Sequence, residues 1–348
     1  MTPAIFAIPG DINLPTGGYA YDRRVLAALP AHGVQVRHLA LPGSFPMPSA
    51  EDLKTTSRLL ATSEAGAPII VDGLAYGAMP VALLVPVANP IIALVHHPLC
   101  LESGLTAQRQ AVLRASETAA LSRAAHVIVT SPLTARTLGA DFAVPPGRIT
   151  VAEPGTDRGT RARGTGAPLQ LLAVGAIVPR KAYDVLVQAL GAMENKDWRL
   201  TIAGPADRDP AALGALHEAI RATGLADHIN LIGPVSTAVL DDLYAAADLF
   251  VMSSLYEGYG MVLAEAMARG LPIVCTTGGA AAETVPEGAA IKVQPGNQQA
   301  LSEAIFRAVD DPNLRRRMSD ASWAAGQKLP RWEDTARIVA GVIKELAP

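Results

Sequence analysis

Leu249-Phe-Val-Met-Ser-Ser-Leu-Tyr-Glu257-Gly-Tyr-Gly-Met-Val-Leu-Ala-Glu265 reads as a buried strand, a glycine-softened loop and the start of a helix. Four apolar residues, Leu249–Met252, suit a strand covered on both faces, as parallel sheets require. The helix is expected over Met261–Arg269, with Gly270 and Pro272 as its stop. Gly258 and Gly260 let the backbone approach a ligand closely. The first helical N–H groups, around Gly260, Met261 and Val262, have no intrahelical partner and make an anion site aided by the helix dipole. Glu257 lies in the loop and Glu265 one turn into the helix, on the side of Met261. Two carboxylates at that spacing can accept hydrogen bonds from two hydroxyl-rich parts of one ligand, such as a hexose and a ribose. Either glutamate taken singly could equally be an ordinary solvated side chain.

Working outward, the same strand-then-helix rhythm fills the chain. Expected strands are Ala4–Ile8, Val34–Ala40, Pro68–Asp72, Ile91–Val95, His126–Thr130 and Ile149–Ala152. They are followed by Leu169–Val174, Leu200–Ala203, Ile229–Ile232, Leu249–Met252 and Ile273–Cys275. Expected helices are Gly18–Ala31, Thr106–Ala124, Pro132–Leu138, Lys181–Met193, Pro210–Thr223, Thr237–Ala246, Met261–Arg269, Gln299–Val309 and Trp332–Leu346. Alternation of this kind specifies parallel, doubly wound sheets. Pro154 to Pro168 is small, polar and turn-rich, and divides the series in two. The expectation is an α/β protein with two Rossmann-like domains facing across a cleft. Residues 1–155 form the first domain, 156–167 a linker and 168–330 the second. Residues 331–348 form a C-terminal helix that packs back on the first domain. Ligands of such sheets sit beyond the carboxyl ends of the strands, so residues that follow strands are the candidates.

Composition narrows the class. Half of the 348 residues are hydrophobic and 18% charged, enough for large cores and unlike a disordered chain. A net charge of −3 supplies no basic field for nucleic acid. Cys100 and Cys275, far apart, suggest buried thiols in a reducing compartment. No signal peptide is visible. The apolar region Met79–Val95 is broken by Pro80, Pro86, Asn89 and Pro90, and reads as a short helix and a strand, too short to span a bilayer. A cytoplasmic protein is expected. The apolar loop Leu41–Pro48 and the arginines of Thr106–Ala124 leave room for a peripheral contact with the inner face of the membrane.

The segment from Glu257 to Glu265 resembles the E-x7-E motif of retaining GT-B glycosyltransferases, especially the family-4 group. Leu171-Leu-Ala-Val-Gly175 with Pro179-Arg180-Lys181 resembles the strand and phosphate-binding loop that open the second domain of that family. Leu243–Asp248, Phe250–Ser254, Gly270–Val274, and Gly278-Gly279 with Glu283 resemble the surroundings of its motif. The resemblance covers nearly the whole chain. It implies that Glu257 contacts the donor sugar and Glu265 the ribose, with the backbone of Gly260, Met261 and Val262 on sugar hydroxyls and phosphate. Arg180 and Lys181 would neutralise the pyrophosphate. Ala176 stands where the family often has arginine.

Pro15-Thr-Gly17-Gly18 matches the position of the family's N-terminal glycine loop, where the backbone could meet the donor diphosphate or the acceptor. His96, first after its strand, matches a histidine at the sugar or the acceptor. As a neutral imidazole it could relay a proton; a structural histidine is the competing reading. Asp72 and His97 are candidate acceptor contacts, with a turn-capping role the alternative for Asp72. Asp207-Arg-Asp209 mimics a metal-binding D-x-D but sits in a polar loop. The resemblance implies no metal and no cofactor beyond the nucleotide-sugar co-substrate. The expected activity is transfer of a hexose-type sugar from a nucleoside diphosphate to a glycan, lipid or small molecule. The alternatives are a sugar-nucleotide epimerase or a phosphorylase of the same fold and a non-catalytic nucleotide-sugar-binding subunit.

Overall fold

The computed structural model describes residues 1–193 and 197–348. The chain divides into two compact units, one of Met1–Gly155 with Pro330–Pro348, the other of Thr156–Leu329.

The first unit holds six parallel strands, β1 (Thr2–Pro9), β2 (Val34–Leu41), β3 (Ile69–Asp72), β4 (Ile91–Val95), β5 (His126–Val129) and β6 (Ile149–Val151). Their order is β2-β1-β3-β4-β5-β6. The chain therefore leaves β1 in one direction for β2 and crosses back for β3, so the order reverses between β1 and β3. The crevice at such a reversal is where open α/β sheets take ligands. Gly17 and Gly18 follow β1, Asp72 ends β3, and His96 follows β4. β3 and β4 are buried throughout, consistent with their unbroken apolar sequence.

The second unit repeats the plan with β7 (Leu169–Val174), β8 (Trp198–Ala203), β9 (Ile229–Gly233), β10 (Leu249–Met252), β11 (Ile273–Thr276) and β12 (Ala290–Val293). Their order is β12-β11-β10-β7-β8-β9, all parallel. Here the reversal falls between β7 and β10. The loop with Arg180 and Lys181 follows β7, and the loop with Glu257 follows β10. The strand order of the sheet thus brings together segments 76 residues apart.

Several elements differ from the expectation. The helix Ala50–Ala61 was not expected, although Ser49 and Asp52 announce it. Ser49 Oγ accepts the Asp52 N–H at 3.1 Å and Asp52 Oδ2 accepts the Ser49 N–H at 3.2 Å, a reciprocal cap. The edge strand β12 and the helix Pro312–Gly326 were also unassigned. Between Met79 and Val95, the expected helix is a single 3-10 turn, Val81–Leu83. Among the described residues no helix is long and apolar enough to cross a membrane. The segment read as a linker is tied to the second unit instead. Ala162 N–H bonds Arg269 O at 2.8 Å, Arg163 N–H bonds Ala245 O at 3.2 Å, and Asp248 Oδ2 accepts from Thr165 Oγ1 at 3.2 Å.

The C-terminal helix Trp332–Leu346 belongs to the first unit. Thr335 Oγ1 donates to Glu153 O at 2.7 Å, Trp332 meets Tyr21 edge-on at 5.9 Å, and Arg24 lies over the indole. At Gly155 a Cβ would stand 2.2 Å from the Trp332 nitrogen, so only glycine lets the two backbones pass. We therefore expect Gly155→Ala to destabilise the protein by at least about 1–3 kcal/mol, the usual cost of overpacking. Denaturant unfolding measures it, and a variant as stable as the parent would refute the close approach.

Candidate active site

In the second unit, Gly175 follows β7 at φ +149°, and a Cβ there would press on Lys181 Cε at 2.9 Å. Its absence lets the lysine side chain fold back across the strand end. Arg180 and Lys181 do not begin the next helix, as expected from the sequence. They lie in a 3-10 turn, Pro179–Lys181, and Ala182 in the left-handed region separates them from the helix Tyr183–Gly191. Val178 precedes this turn, and Ala182 at φ 47° redirects the chain, so the cations face the β10 loop rather than the helix dipole. Backbone bonds fasten the two loops together. Arg180 O accepts the Leu255 N–H at 2.7 Å, and Lys181 O accepts Ser253 Oγ at 2.7 Å. Arg180 Nη1 donates to Tyr256 O at 2.8 Å.

This stitching brings both cations onto Glu257. Lys181 Nζ lies 2.7 Å from Oε1 and Arg180 Nη1 lies 3.1 Å from Oε2. The Lys181 and Glu257 side chains are only 10% and 9% exposed, so the pair is largely shielded from screening. Burial works against the Glu257 charge, but Lys181 and then Arg180 overcome it and hold the carboxyl down at about 2. Two cations and one carboxylate leave a single net positive charge, one fewer than two solvated cations would offer.

Gly278 and Gly279 explain how the Glu257 loop is held. A Cβ on Gly278 would meet Leu255 O at 2.2 Å, and one on Gly279 would meet Glu257 O at 2.2 Å. Glu257 N–H bonds Gly278 O at 3.1 Å, and Ala280 N–H bonds Glu257 O at 2.8 Å. The loop is thereby pinned on both sides. Gly260, at φ 92°, then opens the helix Met261–Ala268 with no side-chain cap. The N–H groups of Met261 and Val262 have no intrahelical acceptor and form a donor pair at the positive end of the helix dipole. Glu265 sits farther along. Tyr244 Oη donates to its Oε2 at 2.8 Å, and Arg269 Nη1 donates to its backbone carbonyl at 3.2 Å. Burial pushes the Glu265 carboxyl up. Arg269 lies over the Tyr244 ring and is ion-paired with Asp241. Tyr244, bonded to Glu265, joins the candidate site and was not singled out from the sequence. Its signal was the Leu243–Asp248 lead-in, taken there as a motif with no role for the phenol.

The first unit gathers a different group. Gly17 and Gly18 lie in the first turn of the helix Gly17–Ala28 rather than in a preceding loop, and Thr16 caps it by accepting the Tyr19 N–H at 3.2 Å. A Cβ on Gly18 would stand 3.3 Å from His96 Cδ2, so this glycine makes room for the imidazole. His96 Nε2 lies 3.4 Å from Asp22 Oδ1 and 3.5 Å from Asp72 Oδ2. Asp72 also takes the alternative role open to it, since its Oδ1 accepts the Leu74 N–H at 2.8 Å. Asp22 was not among the candidates, yet Gly18, Asp22 and Val25 share one helix face, and an acid on the face that also carries Gly18 and Val25 was the signal. His97 is engaged by Glu102 at 3.2 Å, within its own loop. Among the described residues, Asp22, Asp72 and His96 form a group whose donor atoms come within 4.8 Å of one another. Asp209, of the D-x-D look-alike, caps the helix Pro210–Thr223 by accepting the Ala212 N–H at 2.9 Å.

Residues 163–323 match the family model of glycosyl transferases group 1, and residues 11–155 match that of the glycosyl transferase 4-like domain. The chain is 32% identical over 229 residues to D-inositol 3-phosphate glycosyltransferase 2 of Catenulispora acidiphila, a match over 60% of this chain and 52% of that protein. It spans about half the length of the first curated relatives it matches. In fold it is similar to a sucrose-phosphate synthase from Thermosynechococcus elongatus, with a TM-score of 0.79 at 22% identity over 99% of each chain. It is also similar to Anabaena HepE in complex with UDP-glucose, with a TM-score of 0.77 at 17% identity over 98% of this chain and 99% of that one. Two six-stranded parallel sheets, each reversing order where the candidate residues meet, together with both family matches, place this chain among the family-4 glycosyltransferases of the GT-B fold.

Proposed function

We propose that this glycosyltransferase is a retaining enzyme that moves a hexose-type sugar from a nucleoside diphosphate donor to a hydroxyl acceptor. The observation that carries the reading is the clamp of Lys181 and Arg180 on Glu257, beside an uncapped helix that starts at a left-handed glycine. A diphosphate leaving group gains negative charge as its bond to the sugar breaks. Lys181, Arg180 and the N–H pair of Met261 and Val262 are fixed donors for that charge. Because Glu257 already orients both cations, little reorganisation is needed when the charge develops. The same carboxylate accepts from sugar hydroxyls, and Gly260 keeps the backbone open to them. Tyr244 occupies Oε2 of Glu265, which leaves Oε1 for a ribose hydroxyl.

From the first unit this reading assigns Gly17 and Gly18 to the donor, His96 to the reacting edge of the sugar and His97 to the acceptor side; Asp72, expected at the acceptor, is buried behind His96 and caps Leu74, so it acts through His96 instead. The bond from the anomeric carbon to phosphate oxygen breaks and the bond to the acceptor oxygen forms on the same face. The acceptor's proton leaves with the phosphate oxygen. UDP-glucose bound to the fold neighbour HepE supports a nucleotide-sugar donor. The reading needs no metal, because the protein's own cations meet the diphosphate. It places the reaction in the cytoplasm, where nucleotide-sugars are supplied, with a peripheral membrane contact left for a lipid acceptor.

Glu257→Gln should lower transfer by about 100-fold or more, the loss seen when a preorganised charge-stabilising group is removed. Its circular dichroism should stay native, and full activity would reject the site. Lys181→Ala should raise the donor KM and lower kcat together, because one charge serves both the bound diphosphate and the departing one; unchanged steady-state kinetics would remove Lys181 from the mechanism. The clamp also sets a pH dependence. A carboxylate with a depressed pKa stabilises the fold fully above its unfolded value of about 4.3, and that contribution drains away as pH falls toward about 2. The stability difference between the parent and Glu257→Gln should therefore shrink across that window in denaturant titrations. Curves that stay parallel down to pH 2 would contradict the ion pair.

A further inference from the structure

Three elements of the first unit aim ionisable side chains at one point. Asp22 comes from the helix Gly17–Ala28, Asp72 ends β3, and His96 follows β4. Asp22 is wholly out of water, and neither of its oxygens has a hydrogen-bond partner of ordinary geometry. Asp72 Oδ2 and His96 Nε2 are in the same condition. Buried carboxylates left like this are costly unless a positive charge sits between them. The ring nitrogen of His96 stands almost equally far from both acids, at 3.4 and 3.5 Å. The ring is held from other sides as well. Gly18 has no Cβ to push it, Tyr21 meets it edge-on at 5.3 Å, and Thr130 Oγ1 donates to its backbone carbonyl at 3.1 Å.

We propose that Asp22 and Asp72 are positioning residues that fix His96 as an imidazolium, so that it meets its ligand as a cationic hydrogen-bond donor and not as a proton acceptor. An imidazolium carries a proton on each nitrogen and has no acceptor site. With Nε2–H shared by the acids, Nδ1–H is the remaining donor, and a side chain 19% exposed can present it. The neutral imidazole relay considered from the sequence is then replaced by electrostatics. A fixed positive charge stabilises negative charge on the leaving group or on an acceptor hydroxyl giving up its proton. This deepens the proposed role of His96 and rests on the sugar-transfer reading only for that last step.

The electrostatics agree in direction. Burial alone would lower the His96 pKa, but the hydrogen bonds and charges of Asp22 and Asp72 push it up to about 10. Burial, then the charge of Asp72, raises Asp22 to about 7. On acidification the group therefore takes a second proton on Asp22 while His96 keeps its own. Facing His96 are Asp22 from the helix, Asp72 from β3 and the Tyr21 ring, whose phenol burial keeps protonated and which donates to Ala152 O at 3.0 Å. His97, next in the chain, faces Glu102.

The test is histidine NMR on the full chain labelled with 15N and 13C at histidine, with the His96 signal identified by its loss in His96→Gln. Both ring nitrogens of His96 should show imidazolium shifts from pH 6 to 9. In Asp22→Asn the midpoint should fall by about one to three units, and the alkaline limb of the kcat/KM profile should move with it. A parent His96 that titrates near the ordinary value of about 6.5 would overturn the proposal. So would stoichiometric Zn2+ displacing the Nε2 proton, which would make the group a cation site. The parent measurement needs neither a variant fold nor turnover. Failure of sugar transfer would leave the NMR result standing, and failure of the NMR result would leave the transfer assay to be judged alone.

Discussion

A carboxylate withdrawn from water must find positive charge close by, and in the second unit Glu257 finds two cations. Lys181 and Arg180 reach it from a different loop, and the ion pair in turn fixes where those cations stand. The loops are stitched by Leu255 and Ser253 to the carbonyls of Arg180 and Lys181, and braced from behind by Gly278 and Gly279. None of these contacts makes a binding site alone. Together they leave one excess positive charge, held rigidly beside the open N–H groups of a helix start. That is the arrangement electrostatic catalysis requires, because donors already in place cost no reorganisation when charge develops.

The first unit answers the same physical demand with the charges reversed. There two carboxylates are buried and one imidazole lies between them. The parallel follows from topology. Each sheet reverses its strand order once, and residues that follow the strands beside the reversal are driven into one crevice. Charged side chains placed there lose solvent and must satisfy one another. Strand order thus explains why Lys181 meets Glu257 and why Asp22, on the helix after β1, lies beside Asp72 at the end of β3, although neither pair is close in sequence.

Much of the fold was legible from local pattern. Unbroken apolar runs such as Ile91–Val95 and Leu249–Met252 marked buried parallel strands, and the alternation with helices marked two doubly wound sheets. What escaped were elements whose signal is weak or mixed. β12 is a four-residue edge strand only half-buried, and the helix Pro312–Gly326 mixes the run Arg315-Arg316-Arg317 with small and polar residues and few apolar ones. The run Pro154–Pro168 looked like a free linker because it is small and polar. Its backbone and the Thr165 hydroxyl instead found carbonyl and carboxylate partners on the second unit that only folding brings near.

The site shows the same division more sharply. Glu257, Glu265, Gly260, Arg180 and Lys181 were singled out because glycines, acids and cations at strand ends leave a local trace in the chain. Their partners left only a faint one. Asp22 and Tyr244 look like ordinary helix residues until burial places one against His96 and the other on Glu265. Residue type and spacing settled which groups are able to carry charge, donate or admit a ligand, since these properties belong to each residue and its immediate neighbours. Tertiary structure alone decided which charges neutralise which, because that depends on distances across strands and on the water that folding removes.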